Sequence, residues 1–345
     1  MIEAAVLGAT GMVGQMFIHL LEQHPWIRAT VVAASEKSSG LAYREAAKWR
    51  LPYPIPENVA QLEVVDAVPK AVGDVDLVFS ALPTETAAKI EEDFARDGYV
   101  VVSNASAHRL EADVPLLNPE VNHEHISLIE VQRKKRNWTG AVVTNPNCST
   151  SILTLALKPI YDQFGIKRVI VSTMQALSGA GYPGVQSLDI VDNVIPFIKN
   201  EEEKIQTETL KILGSPSSRA DFKISASCHR VATLDGHMEA VFIELSREFN
   251  SELIADALDG FTGEPQKLKL PSAPLKPVVV RCEEDRPQVR LDRMEGAGMS
   301  VVIGRLRKDD CMGGVKFIVI GHNTIRGAAG CAILNAEYLK TQKYV

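Results

Sequence analysis

Cys148 is the residue whose surroundings most plainly invite chemistry. It stands in Thr144-Asn145-Pro146-Asn147-Cys148-Ser149-Thr150, where a β-branched run gives way to a helical pattern. Unpaired amide hydrogens and the positive end of a helix dipole stabilise a thiolate at such a place, which makes the sulfur a nucleophile near neutral pH. Asn147 and the adjoining backbone could donate to an oxyanion forming on an attacked carbonyl. The competing reading is a small buried hydrophobe, the usual fate of a lone cysteine; the polar Asn-Pro-Asn frame weighs against it. A nucleophile needs a proton-exchanging partner, and among 8 histidines the foremost is His237. With Arg230 it brackets the stretch Val231-Ala232-Thr233-Leu234-Asp235-Gly236, so a carboxylate-binding fork and an imidazole stand on either side of a turn. A surface hairpin with incidental charges has the same spacing. Gln175 ends another strand pattern and leads into Ala176-Leu177-Ser178-Gly179-Ala180-Gly181. These small residues either admit a flat ring or simply make a turn. Glu201-Glu202-Glu203-Lys204 reads most simply as the solvated start of a helix.

A second chemical signature opens the chain. Gly8-Ala9-Thr10-Gly11-Met12-Val13-Gly14 follows an apolar run and precedes a helical period. Glycines at that spacing let the backbone approach a pyrophosphate, whose charge the helix start receives. The pattern alone also fits a turn chosen for packing, but its place between strand and helix favours a dinucleotide. An NAD-preferring site tends to set a carboxylate about 20 residues further on, and here the second strand ends at Ala34-Ser35. Ser35, Ser38 and Ser39 could donate to a 2′-phosphate and Lys37 could neutralise it, with Glu36 opposing. NADP is the expected cofactor. Ser80-Ala81-Leu82-Pro83 closes another strand pattern, at the edge where a doubly wound sheet meets its ligand, so its backbone is a candidate neighbour of the cofactor. A plain strand exit is the alternative.

These residues must be positioned by a framework, and the periodicity supplies one. Short apolar runs at Ala4–Leu7, Ala29–Ala33, Leu77–Phe79, Tyr99–Val102 and Ala141–Val143 alternate with helical stretches such as Met12–Glu22 and Thr86–Arg96. That alternation predicts an α/β, Rossmann-like, doubly wound parallel sheet. Trp49–Pro56 reads as an irregular loop and His123–Arg136 as an inserted helix before the last strand. Beyond Cys148 come a helix over Ser149–Phe164 and longer strands at Arg168–Met174, Ala240–Leu245, Met299–Leu306 and Gly314–Ile320, which predict an α+β domain with a largely antiparallel sheet. The expected organisation is a nucleotide-binding domain over 1–147, a second domain over 148–324, and a C-terminal segment, 325–345, whose alanine-rich helix packs back on the first domain.

Composition excludes other classes. A chain of 345 residues, 46% hydrophobic, can bury two cores. With 37 basic and 43 acidic residues, a net charge of −6 and no dense basic stripe, neither nucleic acid nor an anionic membrane is an expected partner. The run Arg133-Lys134-Lys135-Arg136 lacks an aromatic platform and reads as a solvated helix face. The 5 cysteines are odd in number and widely spread, which is unlike a disulfide framework, and no Cys/His cluster has metal-site spacing. No apolar run reaches the roughly 18 residues of a membrane span and no leader pattern opens the chain, so a cytoplasmic location and no bound metal are expected.

Taken together, these motifs resemble the aspartate-semialdehyde dehydrogenases, nearer the archaeal and fungal branch than the typical bacterial one. The likeness runs from Gly8 to Asn323-Thr324-Ile325-Arg326-Gly327-Ala328-Ala329 and is most specific at Asn145–Thr150, at Gln175 with Ser178–Gly181, and in the Arg230 to His237 spacing. The resemblance implies NADP-dependent reduction of L-aspartyl 4-phosphate to the semialdehyde, in the biosynthesis of lysine, threonine, methionine and isoleucine. It makes Cys148 the acyl-accepting nucleophile, His237 its acid/base and Gln175 a substrate-orienting residue. Arg230 would grip the α-carboxylate, Glu201 the amine, and Lys204 and Arg109 the phosphate. Asn323 would lie against the nicotinamide carboxamide. The second domain would also carry dimerisation, in a homodimer or homotetramer. Malonyl-CoA reductase, on the same scaffold, and a non-catalytic NADP-binding regulator are the alternatives.

Overall fold

The computed structural model describes residues 1–345. The first apolar runs form β1 (Ile2–Leu7), β2 (Ile27–Ala34), β3 (Val64–Asp66), β4 (Leu77–Ser80), β5 (Val100–Ser103) and β6 (Ala141–Thr144). They pair in parallel in the order β3-β2-β1-β4-β5-β6. Every residue of β4, β5 and β6 is buried, as expected of parallel strands covered on both faces. The winding reverses at β1 and β4, which opens a crevice beyond their carboxyl ends. Helices α1 (Met12–Leu21), α2 (Thr84–Arg96) and α3 (Leu128–Arg136) cover this sheet. α1 can sit so close to the turn before it because position 14 is glycine: a Cβ there would lie 2.3 Å from the Gly8 carbonyl oxygen.

The second sheet comprises β7 (Ile166–Gln175), β8 (Lys223–Arg230), β9 (His237–Leu245), β10 (Val278–Val280), β11 (Val301–Asp309) and β12 (Gly314–Gly321), in the order β10-β11-β12-β9-β7-β8. Its antiparallel centre is flanked by parallel pairs, β7 with β8 and β10 with β11. The edge strand β8 leaves little trace in the sequence because Lys223, Ser225 and Ser227 face solvent and only alternate residues pack inward. One face of the sheet is covered by α4 (Cys148–Phe164), α5 (Glu201–Ile212) and α6 (Ser251–Asp259). There Ile152, Leu155 and Ile160 share a core with Val171, Val241 and Phe317.

After β12 a wide helical turn, Ile325–Ala329, leads into α7 (Gly330–Thr341). Ile333, Leu334 and Leu339 of α7 join the core of the first sheet beside Phe17 and Ile129. Arg326 is fixed in this passage by two hydrogen bonds to Glu120 Oε2, of 2.7 and 2.6 Å, with both side chains fully buried. Removing one partner strands the other charge. Glu120→Ala is therefore expected to cost about 3–5 kcal/mol in urea unfolding; a loss under about 1 kcal/mol would show that the pair does not hold the C-terminal segment.

Candidate active site

Cys148 is the first residue of α4, and Asn147 caps the helix: its Oδ1 accepts from the amides of Ser149 and Thr150 at 3.0 and 3.2 Å. Its Nδ2 donates to Glu201 Oε1 at 2.8 Å. With Oδ1 on the helix amides and one Nδ2 hydrogen on Glu201, Asn147 has its second Nδ2 hydrogen left to meet an oxyanion. Glu201 departs from its simplest reading. It is buried while Glu202 and Glu203 are exposed, because α5 packs on α4 and turns only the first of the three glutamates inward.

Arg230 and His237 are not on a hairpin. β7 lies between β8 and β9, and the connection from 231 to 236 crosses the end of β7. Gln175, the last residue of β7, pairs with Arg230, so three strand ends bring Arg230, Gln175 and His237 side by side. The His237 Nε2 stands 3.1 Å from the Cys148 sulfur. Its Nδ1 accepts the Ala176 amide at 3.1 Å, and Arg230 Nη1 donates to the Ala176 carbonyl at 2.8 Å. Gln175 donates to Thr173 Oγ1 at 3.2 Å. Gly179 completes the cluster by being small: a Cβ there would lie 2.9 Å from Arg230 Nη1 and 3.1 Å from His237 Cε1. Gly327 does the same behind the nucleophile, where a Cβ would come within 2.6 Å of Cys148 Cβ.

Burial governs the protonation of this pair. It pushes the Cys148 thiol up to about 12, with Glu201 adding to the effect and the Ser149 amide, Arg109 and Arg230 opposing it. Burial also lowers His237 to about 3, reinforced by Arg230 and His322 and weakly opposed by the Gly236 carbonyl. The resting pair is neutral thiol and neutral imidazole. Against the expected thiolate near neutral pH stands this desolvation, which opposes the amides and dipole at the helix start. The Ala176 amide directed at Nδ1 favours the tautomer with the ring proton on Nε2, facing the sulfur, and the Gly236 carbonyl favours the other. Taking the sulfur's proton would require Nδ1 to release that amide.

Arg109 lies beside the pair, with Nη1 3.0 Å from Glu208 Oε1, Nη2 2.7 Å from the Asn104 carbonyl, and a buried Nε that has no partner. Lys204, half-buried, follows Glu201 by one turn of α5. Two further carboxyls were not foreseen. Glu208 accepts the Asn147 amide on Oε2 at 2.6 Å; its signal in the sequence is the spacing of Glu201, Lys204, Glu208 and Lys211 along one helix face. Glu239 follows His237 on the same inward face of β9, with both oxygens buried and unpartnered. Burial and Glu201 raise it well above the usual carboxylate range.

The turn at Gly8 fits a dinucleotide. Gly8 has φ +73°, and a Cβ there would lie 2.6 Å from the Ala81 carbonyl oxygen, so the two strand exits touch. α1 starts at Met12 with no side-chain cap, which leaves the first amides, those of Met12 and Val13 among them, open to an anion. Behind the turn, Tyr43 donates to the Ala9 carbonyl and Gln15 to that of Thr10. Gly11 is exposed on the turn's outer side. The Ser80 hydroxyl is buried against Glu91 at 2.6 Å and its carbonyl accepts the Asn104 amide at 2.9 Å, while Leu82 beyond it is half-buried. Ser35 is exposed and Ser38 half-buried beyond the end of β2. On the second domain Asn323 donates to Ser178 Oγ at 2.8 Å and accepts the Gly236 amide at 2.7 Å. A cavity of about 770 Å³ reaches Met12 on one wall and Ser178 and Thr324 on another, so it joins candidate residues of both domains.

The raised thiol sets a measurable pH dependence. In the protein without added substrate, iodoacetamide labelling of Cys148, followed by mass spectrometry, is expected to climb about tenfold per pH unit from 7 to 9. A plateau below pH 8 would contradict the neutral resting pair.

Comparison with known proteins agrees with this geometry. Residues 3–129 match the model of the semialdehyde dehydrogenase NAD binding domain, and residues 157–326 that of the semialdehyde dehydrogenase dimerisation domain. Aspartate-semialdehyde dehydrogenase of Methanothermobacter thermautotrophicus is 57% identical over 344 residues, covering 98% of this chain and 99% of that protein. Malonyl CoA reductase (NADP) of Metallosphaera sedula is 41% identical over 352 residues, covering 100% of this chain and 98% of that protein. The crystal structure of aspartate semialdehyde dehydrogenase with NADP from Candida albicans superposes with a TM-score of 0.92 at 38% identity, covering 100% of this chain and 99% of that one. With both domain models matched in order and such identity along almost the whole chain, this protein belongs to the aspartate-semialdehyde dehydrogenase family, a family of nicotinamide-dependent oxidoreductases.

Proposed function

We propose that this chain reduces L-aspartyl 4-phosphate to L-aspartate 4-semialdehyde, with NADPH as reductant and Cys148 as the acyl carrier. The observation that carries the reading is the 3.1 Å contact between the Cys148 sulfur and His237 Nε2, set beside Arg230 and Gln175 at three adjoining strand ends. Arg230 takes the α-carboxylate and Glu201 the amine, while Gln175 orients the chain between them. Arg109 and Lys204 receive the phosphate. The sulfur attacks the acyl carbon, the carbon–oxygen bond to phosphate breaks, and the thiol proton leaves with hydrogen phosphate. His237, whose Nε2 stands 3.1 Å from the sulfur, is the acid/base that carries this proton. When bound, the dinucleotide supplies the hydride that reduces the thioester; the carbon–sulfur bond then breaks to free the semialdehyde, and a proton from solvent returns to the sulfur through His237.

The cofactor is held by Gly8, Thr10, Gly11, Met12 and Val13 at the first turn, by the backbone of Ser80 and by Leu82, and by Ser35 and Ser38 at the 2′-phosphate. Ser178, Gly179 and Asn323 line the nicotinamide end. Residues 1–147 serve as the nucleotide-binding domain, 148–324 as the catalytic and dimerising one, and 325–345 as a strap back to the first. Assembly is a homodimer or homotetramer. The matched dimerisation domain supports this, as do Ile170 on the open face of the second sheet and Leu188, Val191 and Phe197, all exposed apolar side chains. No helix is long and apolar enough to cross a membrane, and the proposed location is the cytoplasm.

Absorbance at the nicotinamide band tests the reading. Aspartate semialdehyde, phosphate and NADP⁺ together are expected to yield NADPH, and malonyl-CoA is expected not to oxidise NADPH. The opposite pattern would identify a malonyl-CoA reductase instead. Cys148→Ala is expected to lower turnover by at least about 10³-fold while cofactor affinity stays within about twofold of wild type. Retained turnover in that variant rules out the covalent route.

A further inference from the structure

α5 carries Glu201, Lys204, Glu208 and Lys211 at spacings that line one side of a helix. Lys211 is fully employed in holding the segment that contains Arg109: its Nζ donates to the carbonyls of Arg109, Glu111 and Val114 at 2.7, 2.8 and 2.8 Å. Glu208 has no place in the mechanism above, yet it is only 1% exposed and both its oxygens are committed. One lies 3.0 Å from Arg109 Nη1 and the other 2.6 Å from the amide of Asn147, the residue that caps the nucleophile's helix. Arg109 itself is 7% exposed and keeps its Nε buried without an acceptor. A buried N–H left unmet carries a desolvation cost that an arriving oxyanion removes.

We propose that Glu208 is a positioning residue that aims Arg109 at the phosphate and limits how tightly the phosphate is held. The proposal rests on Arg109 being the phosphate contact. A dianion reaching the free edge of Arg109 meets a guanidinium whose charge a buried carboxylate already offsets. Hydrogen bonds then fix its orientation while net Coulombic attraction stays small. Arginine and lysine without that counter-charge would retain the phosphate after the carbon–oxygen bond has broken. Through its second oxygen the same carboxylate sets the distance from Arg109 to the turn that bears Cys148.

Glu208→Gln preserves size and removes the charge. Inorganic phosphate is titrated calorimetrically into wild type and variant with NADP⁺ present, and the phosphate KM is measured in the oxidative direction. The variant is expected to bind phosphate roughly three- to tenfold more tightly and to show a matching fall in phosphate KM. Its KM for the semialdehyde is expected to stay within about twofold, and kcat in the reductive direction to fall as phosphate leaves more slowly. A residue needed only for stability would not tighten an anion. Phosphate affinity that is unchanged or weaker in the folded variant overturns the proposal. If Glu208→Gln does not fold, Glu208→Asp replaces it, keeping the charge on a shorter arm. Its phosphate affinity is expected within about twofold of wild type with a lower kcat, and tighter binding there overturns the proposal equally. Should wild type bind phosphate but lack semialdehyde activity, the functional reading fails while calorimetry still decides the role of Glu208.

Discussion

The first turn of α4 is the constraint on which the site depends. Asn147 ends the passage from the last strand of the nucleotide-binding sheet and caps the helix that begins the second core, so both domains are registered against one amide side chain. Its Nδ2 and its backbone N–H both run to carboxylates of α5, Glu201 and Glu208. A helix start leaves donors unsatisfied, and here the capping residue is itself held by buried acceptors. The sulfur is thereby placed without any covalent tie. A small slip of α5 over α4 would move Cys148, Glu201 and Arg109 together.

The same packing explains why the site is electrically quiet at rest. Desolvation raises the thiol and lowers the imidazole, so the charge beside this pair is that of Arg230 and Arg109. The glycines serve this crowding. Gly179 leaves room for Arg230 and His237, and Gly327 lets the chain leaving β12 pass directly behind Cys148. That passage continues through the buried Arg326–Glu120 pair into α7, which is buried on every side from Gly330 to Leu339, its polar Asn335 and Glu337 included. The nucleophile is thus backed by a segment that both domains share.

Much of this was legible in residues taken singly. The alternation of short apolar runs with helical periods determined the doubly wound sheet, since parallel strands covered on both faces must be apolar throughout. Gly8 to Gly14, the Asn-Pro-Asn-Cys frame and the Arg230 to His237 spacing named the ligand-facing turns, because backbone approach and helix-start chemistry demand particular residue types. The inward turn of Glu201, the strand β7 set between Arg230 and His237, and the burial of Glu208 and Glu239 beside the site were decided by tertiary structure. They depend on which helix face meets which neighbour and on the order of strands in a sheet. Protonation belongs with them: a cysteine at a helix start reads as acidic in a sequence, and the desolvation that opposes this comes from its folded surroundings.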